Sequence, residues 1–349
     1  MRTRAVRLSA NENPYGPGPR VLHAIQDALG HVSEYPDVAP LIRDLAARWQ
    51  VPADCVTVGT GGDDLLRRAV DQAPGPVVAA WPGFGVYRVL AEARGKRFVH
   101  AELALDGSAN PEALIRVGRL LEGEGPAGVI FAANPNNPTG VATSREALLD
   151  VARALPNWLV VIDEAYAEFR DVPDPDVLPE PWPTGAIVVR TLSKVYGLAG
   201  LRVGYAVGRG WGIERMVRYG DDIPVGVLTV AAARAALSAD NAARVARVRR
   251  TVVGRRAELT RELEARGFQV LPSQTNFVLA TPPPGLDADA LALALRERNI
   301  LIRLGSRLSV PGRVRISVGS GPQQRALLEA LDVVLGSMAP EGVEISGQV

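Results

Sequence analysis

Short runs of apolar residues alternate along the chain with stretches in which apolar positions recur every three or four residues. The runs Val77 to Ala80, Gly128 to Ala132, Trp158 to Ile162, Ala186 to Val189 and Val203 to Val207 contain hardly a polar residue, as strands buried on both faces do. Helical spacing marks Val21 to Leu29, Leu41 to Trp49, Asp63 to Asp71 and Ser144 to Leu155. Strand and helix in alternation predict an α/β fold, a mostly parallel sheet sandwiched by helices. A further helical stretch, from about Asp240 to Gly267, is too long for a crossover and predicts a connector between lobes. Beyond it, Phe277 to Leu279, Ile300 to Arg303 and Val314 to Val318 read as short strands of a smaller α+β lobe. The expected divisions are an N-terminal segment (1–30), a large domain (31–240) and a small C-terminal domain (241–349). Pro173 to Pro183 reads as a proline-rich surface loop, and the tail after about Ala339 as frayed.

Composition narrows the function classes. With 349 residues, 47% of them hydrophobic and 22% charged, the chain can bury a large core and lies far from the signature of disorder. The net charge is +1 and the arginines are dispersed, so a nucleic-acid partner is not expected. The most basic stretch, Arg244 to Arg256, is interleaved with Val and Ala and reads as the wet face of a helix. The single cysteine, Cys55, excludes an intramolecular disulfide framework and fits a reducing compartment. Met1 to Ala10 holds no apolar stretch of signal-peptide length, and no run of about 18 apolar residues exists, so a cytoplasmic protein off the membrane is expected. His23, His31 and His100 share no motif, and no metal is expected.

Three polar residues sit at or just beyond the ends of the buried runs: Asn137 in Asn134-Pro135-Asn136-Asn137-Pro138-Thr139-Gly140, Asp163 after Trp158 to Ile162, and Lys194 after Ala186 to Ser193. In open α/β sheets ligands bind outside the carboxyl ends of the strands, so one pocket can hold all three. An Asn-Pro turn or a lysine after Thr-Leu-Ser is by itself unremarkable, whereas an acid directly after Leu159-Val160-Val161-Ile162 is either a helix cap or a sheltered charge.

Taken together and in order, the segments resemble the fold-type I enzymes that use pyridoxal 5′-phosphate (PLP), and within them the histidinol-phosphate aminotransferase family. The matching pieces are Asn11-Glu12-Asn13-Pro14-Tyr15-Gly16-Pro17, Tyr35-Pro36-Asp37, Asn136 to Gly140, Ile162-Asp163-Glu164-Ala165-Tyr166, Arg190 to Lys194 with Gly200-Leu201-Arg202, Leu271-Pro272-Ser273 with Asn276-Phe277, and Val314 to Gly319. The resemblance spans nearly the whole chain. It implies that Lys194 carries PLP covalently and then serves as the base, with Asp163 and Tyr166 as its catalytic companions. Asp163 would face the pyridine nitrogen, Asn137 and Tyr166 the phenolic oxygen, and Phe84, where the family commonly has Tyr, the face of the ring. Gly62 and Asp63 at a helix start, with Thr191, Ser193 and Arg202, would hold the phosphate, joined by Tyr35 from the other subunit of a homodimer.

For substrate, the resemblance implies Arg315 as the grip for carboxylate or phosphate, Arg303 as a second cation, and Tyr15 and Asn13 as lining. The N-terminal segment would pack on the small domain and the site. The implied reaction passes an amino group between L-histidinol phosphate and 2-oxoglutarate in histidine biosynthesis, both partners being small molecules. An aromatic or arginine-like amino donor, decarboxylation of a phosphorylated amino acid, and a non-catalytic module on the same fold are the alternatives.

Overall fold

The computed structural model describes residues 5–338; the tail after Ala339 lies outside the described residues. In chain order, strand β1 (Val6–Arg7) and helices α1 (Pro19–Ala28) and α2 (Ala39–Trp49) precede β2 (Val56–Gly59) and α3 (Gly61–Gln72). There follow β3 (Val77–Trp81), α4 (Val86–Glu92), β4 (Phe98–Glu102), α5 (Pro111–Glu122), β5 (Val129–Ala133), α6 (Arg145–Ala154), β6 (Leu159–Asp163), β7 (Ala186–Thr191) and β8 (Gly204–Gly208). Helices α7 (Trp211–Arg218), α8 (Val227–Leu237) and α9 (Ala239–Glu264) lead into β9 (Gln269–Val270) and β10 (Phe277–Thr281). The chain closes with α10 (Ala288–Glu297), β11 (Ile300–Leu301), β12 (Arg303–Leu304), β13 (Val314–Ser317) and α11 (Gly321–Met338).

Seven strands form the large sheet in the order β2-β8-β7-β6-β5-β3-β4. All pairs are parallel except those of β8, which runs antiparallel to both β2 and β7. Because successive side chains point to opposite faces, the apolar runs feed two cores. Val78, Ile130, Val160 and Val188 go to one side, and Val77, Phe131, Val161 and Ile187 to the other. Helix starts follow local chemistry: the side chains of Asn110, Ser144 and Asp287 accept from the backbone N–H three residues on, and Pro19 and Pro111 open α1 and α5.

The small lobe is a four-stranded antiparallel sheet, β12-β13-β10-β9. The expected strand Ile300 to Arg303 is two short ones: β11 leaves the sheet at Ile302 to pair in parallel with β1 of the N-terminal segment. That segment is tied down twice more. Asn13 Nδ2 donates to the Val195 carbonyl at 2.8 Å, and Arg244 of α9 donates to the carbonyls of Tyr15, Gly16 and Pro17. Gly197 permits this approach, since a Cβ there would lie 2.6 Å from the Gly16 carbonyl carbon.

The stretch Arg244 to Arg256 is not simply a wet face, although Arg247 and Arg250 are exposed. Arg249 donates to the carbonyls of Glu168, Arg170 and Asp171, and Arg256, buried, to those of Phe169 and Thr275. The turn after Tyr166 exposes carbonyls without partners of their own, and these arginines supply the donors. The segment Pro173 to Pro183 is free of helix and strand, but it is not purely surface, because Leu178 and Trp182 are buried. No helix among the described residues is long and apolar enough to cross a membrane.

Candidate active site

Beyond the carboxyl ends of β5, β6 and β7 lies a cavity of about 370 Å³ whose walls come from the N-terminal segment, the large sheet and the small lobe. Among its lining residues are Asn11, Phe84, Asn137, Asp163, Lys194 and Arg315. A cleft of similar size, about 320 Å³, lies at the opposite, amino end of the sheet around Pro74, Lys96 and Pro126, and none of the residues singled out by the sequence lines it.

Asp163 is the last residue of β6, and its strand position turns it toward the core that holds Phe131. Burial pushes its carboxyl up to about 6 from 3.8, against the pull of two donors. These are the Tyr87 hydroxyl at 2.8 Å and the Ala165 N–H at 3.2 Å. Tyr87, fully buried and stacked on Phe131 at 4.5 Å, keeps its proton because burial and the neighbouring carboxylate push the phenol far up. The sequence reading missed Tyr87. Its ring meets that of Phe84 edge-on at 5.7 Å. Behind Asp163, on the other face of the sheet, the buried Glu164 accepts from Arg145 through both oxygens and from Arg190. Removing one partner from such a pair costs about 3–5 kcal/mol, so the end of β6 is held firmly.

Lys194 sits in the turn after β7, its Nζ 3.4 Å from the Asn11 carbonyl and 5.2 Å from the centre of the Tyr166 ring. Asn137 Oδ1 accepts from Arg315 Nη1 at 2.7 Å, which leaves the Asn137 NH₂ as a donor toward the cavity. Arg315, on β13, also donates to the Ser9 carbonyl, while its Nε is buried with no partner. Burial pulls its guanidinium down from the ordinary value, Tyr166 opposing and Arg303 adding to the effect. An anion entering here would satisfy a donor now left over.

At the other end of the cavity α3 begins at Gly61, with no side chain capping its first N–H groups. Gly61 has φ +78°, and a Cβ on it would lie 2.7 Å from Arg202 Nη2, so glycine is required for that arginine to cross the helix start. Gly62, also expected from the sequence, lines this end too, and a Cβ on it would meet open space. Gly62, Asp63, Thr191, Ser193 and Arg202 all line this end. Arg202 is held by Asp63 at 3.0 Å, and the Thr191 hydroxyl donates to Ser193 at 2.9 Å. Uncapped N–H groups, two hydroxyls and a guanidinium make an anion cradle.

Other expected residues lie elsewhere. Asn13 and Tyr15 do not line the cavity: the Asn13 amide is spent on Val195 and on the Tyr15 N–H, and the Tyr15 hydroxyl accepts from Arg255. Asn11 and Glu12 take their place. Arg303 is exposed, opposite Arg315 on the neighbouring strand, and therefore on the same sheet face. Tyr35 is 88% exposed and away from the cavity of its own chain. Among the described residues no group of three His, Cys, Asp or Glu is placed to hold a metal ion.

These residues fit PLP. A sheltered carboxylate suits a protonated pyridine nitrogen, Phe84 offers a ring face, Asn137 and Tyr166 supply two donors for a phenolate oxygen, and the anion cradle at α3 suits a phosphate. With a lysine beside that set, fold and cavity define the class: a PLP-dependent transferase of fold type I. The chain belongs to the class I and II aminotransferases, whose family model matches residues 3–334, and among them to the histidinol-phosphate aminotransferases. It is 37% identical over 342 residues to histidinol-phosphate aminotransferase of Symbiobacterium thermophilum, covering 95% of this chain and 91% of that one. It is 36% identical to histidinol-phosphate aminotransferase 1 of Bradyrhizobium diazoefficiens, covering 93% and 91%. The crystal structure of the histidinol-phosphate aminotransferase from Sinorhizobium meliloti in complex with pyridoxal-5′-phosphate superposes with a TM-score of 0.84 at 31% identity, covering 97% of this chain and 92% of that one.

Proposed function

We propose that this enzyme transfers an amino group between L-histidinol phosphate and 2-oxoglutarate, with PLP on Lys194, as a step of histidine biosynthesis. One observation carries the substrate reading: Arg315 and Arg303 stand opposite each other on one face of β12 and β13, Arg315 with an unpartnered Nε and Arg303 with no ion pair among the described residues. Two cations side by side repel unless an anion joins them, and the phosphate of one substrate and the carboxylate of the other both serve. The names of the relatives agree with this choice.

When bound, PLP supplies an electrophilic carbon for the substrate amine and a conjugated ring that draws electrons from the substrate Cα. Lys194 holds the cofactor, and its Nζ, once released, moves the proton to and from Cα. Asp163 keeps a proton on the ring nitrogen. Tyr166 and Asn137 donate to the phenolic oxygen, Phe84 covers the ring, and Arg202, Thr191, Ser193 and the start of α3 fix the phosphate. Arg315 holds the substrate anion from β13, inside the cavity. The same residues serve the forward and the reverse direction of each half-reaction by microscopic reversibility.

Following the cofactor absorbance in single turnovers with L-histidinol phosphate, glutamate, phenylalanine and arginine tests the reading. Histidinol phosphate is expected to react fastest, and Arg303→Ala to lower its rate constant relative to that of unphosphorylated histidinol by about tenfold or more. Faster reaction with phenylalanine or arginine would end the pathway assignment and leave the PLP chemistry standing.

The site is shared in this reading. Tyr35 and the neighbouring Leu22, Leu29 and Val32 are exposed, and a homodimer would cover them and carry Tyr35 to the phosphate cradle of the partner. Mixing inactive Lys194→Ala chains with Tyr35→Ala chains is then expected to restore part of the activity, since hybrids contain one intact site. No recovery in a mixture shown to exchange subunits refutes the shared site. A reducing cytoplasm is the compartment proposed, in keeping with a lone Cys55.

A further inference from the structure

Asn11 stands out from the N-terminal motif around it. It is 1% exposed, and its φ of +54° puts it in the left-handed region, which Asn tolerates better than most residues. Every polar atom of the residue is engaged, and the engagements reach three parts of the chain. Its backbone N–H donates to Ser317 Oγ at 2.9 Å, and Ser317 Oγ donates back to Asn11 Oδ1 at 2.9 Å. Its carbonyl accepts from Asn276 Nδ2 at 3.0 Å and from Lys194 Nζ at 3.4 Å. Its Nδ2 donates to the Tyr166 hydroxyl at 3.0 Å.

The direction of that last bond is fixed by the others. Because Ser317 delivers a proton to Oδ1, the amide presents its NH₂ to Tyr166, so the phenol oxygen accepts and its own proton must point elsewhere. The open direction is the cavity, where Tyr166 lies with Lys194, Asn137 and Arg315. Asn137 is oriented as a donor by Arg315, and Tyr166 by Asn11, so each of the two donors is aimed by a residue behind it.

We infer that Asn11 is a positioning residue for Tyr166: its amide turns the Tyr166 proton toward the phenolic oxygen of the cofactor. It does so only while the N-terminal segment and the small lobe, which supplies Ser317 and Asn276, are docked on the large domain. Docking therefore sets the proton affinity of the cofactor as well as the shape of the cavity. The inference rests on the PLP reading but is independent of which amine is the substrate.

The readout is the pH midpoint of the cofactor's visible absorbance change in the holoenzyme. The charged and titratable groups around Tyr166 are Lys194 from the turn after β7, Arg315 from β13, Asp163 from the end of β6 and Tyr87 from α4. A donor to the phenolic oxygen stabilises its negative form, so losing the donor raises the midpoint. Asn11→Gly keeps the left-handed backbone, its N–H bond to Ser317 and its carbonyl bonds to Asn276 and Lys194, while removing the amide together with the Ser317 Oγ bond to Oδ1. It is expected to raise the midpoint by about half a pH unit. Tyr166→Phe should raise it at least as much, and adding Asn11→Gly to Tyr166→Phe should change nothing further. Asn11→Asp offers only acceptors to the Tyr166 proton and is expected to raise the midpoint more than Asn11→Gly. An unmoved midpoint in Asn11→Gly, or an equal further rise in the Tyr166→Phe background, overturns the role of Asn11. A protein lacking the visible band altogether overturns the cofactor reading instead.

Discussion

Lys194→Ala is expected to lower the turnover number by about a thousandfold or more while the protein still binds PLP. The loss follows from the two tasks of one amine. In the proposed reaction Lys194, which lines the cavity from the turn after β7, both carries the cofactor and acts as the base, and a positioned base alone is worth about 10²–10⁴ in rate. Binding persists because the anion cradle at α3, the ring face of Phe84 and the carboxylate of Asp163 act without Lys194. Rapid-quench measurement of the half-reaction with glutamate, together with the yield of PLP retained on gel filtration, checks both parts. A variant that keeps near-normal turnover removes Lys194 from the chemistry and revives a non-catalytic or differently wired site.

The second large effect lies at Asp163 and has opposite signs for function and stability. Asp163→Asn is expected to lower turnover on the order of a hundredfold, because a neutral amide no longer holds a proton on the ring nitrogen. In the cofactor-free protein the same change is expected to stabilise the fold. Burial raises the folded-state carboxyl from 3.8 to about 6, so the folded protein binds its proton more tightly than the unfolded chain does. Below about pH 4 both states are protonated and the site carries no penalty. As pH rises through 4 to 6 the penalty grows, and above 6 it reaches about 3 kcal/mol. Urea titrations of cofactor-free wild-type and Asp163→Asn proteins should therefore diverge above pH 6 and converge near pH 4. Equal stability at pH 7 would show that Asp163 is not strained by burial. The unpaired charge awaits a cation, and a protonated pyridine ring is one.

Five strands of the large sheet, β3 and β5 to β8, are legible in the sequence because they are buried on both faces, and a run such as Leu159-Val160-Val161-Ile162 has no polar side to confuse it, whereas the partly exposed edge strand β4 shows no such run. For the same reason Asp163 stands out, since an acid directly after such a run has few structural excuses, whereas Lys194 after Thr-Leu-Ser is marked only by the motif it shares with the family. The direction of β8 was not legible, because an apolar run looks the same whichever way it enters a sheet. Helix α8, Val-Leu-Thr-Val-Ala-Ala-Ala-Arg-Ala-Ala-Leu, carries apolar residues all round and shows no period. Within Asn11-Glu12-Asn13 the motif was visible but the inward residue was not, since the left-handed turn at Asn11 decides which amide faces Tyr166, and composition holds no record of it. Tyr87 escaped because a tyrosine on an apolar helix face reads as core, and its partner lies 76 positions away.

Helix α9 bears on one further matter, the freedom of this chain to change length. Arg244 holds the N-terminal segment, and Arg249 and Arg256 hold the turn after Tyr166, all from one continuous helix. A helix advances about 1.5 Å and turns about 100° per residue. Adding or deleting one residue between Arg244 and Arg249 would therefore swing one grip away from its carbonyls while the other stayed in place. The helix is a ruler between two parts of the active site, and its tolerance should be for the spelling of its outer face, never for its count. Loops of the large domain can drift in length over generations; this interval is held in register by the geometry of the α-helix itself.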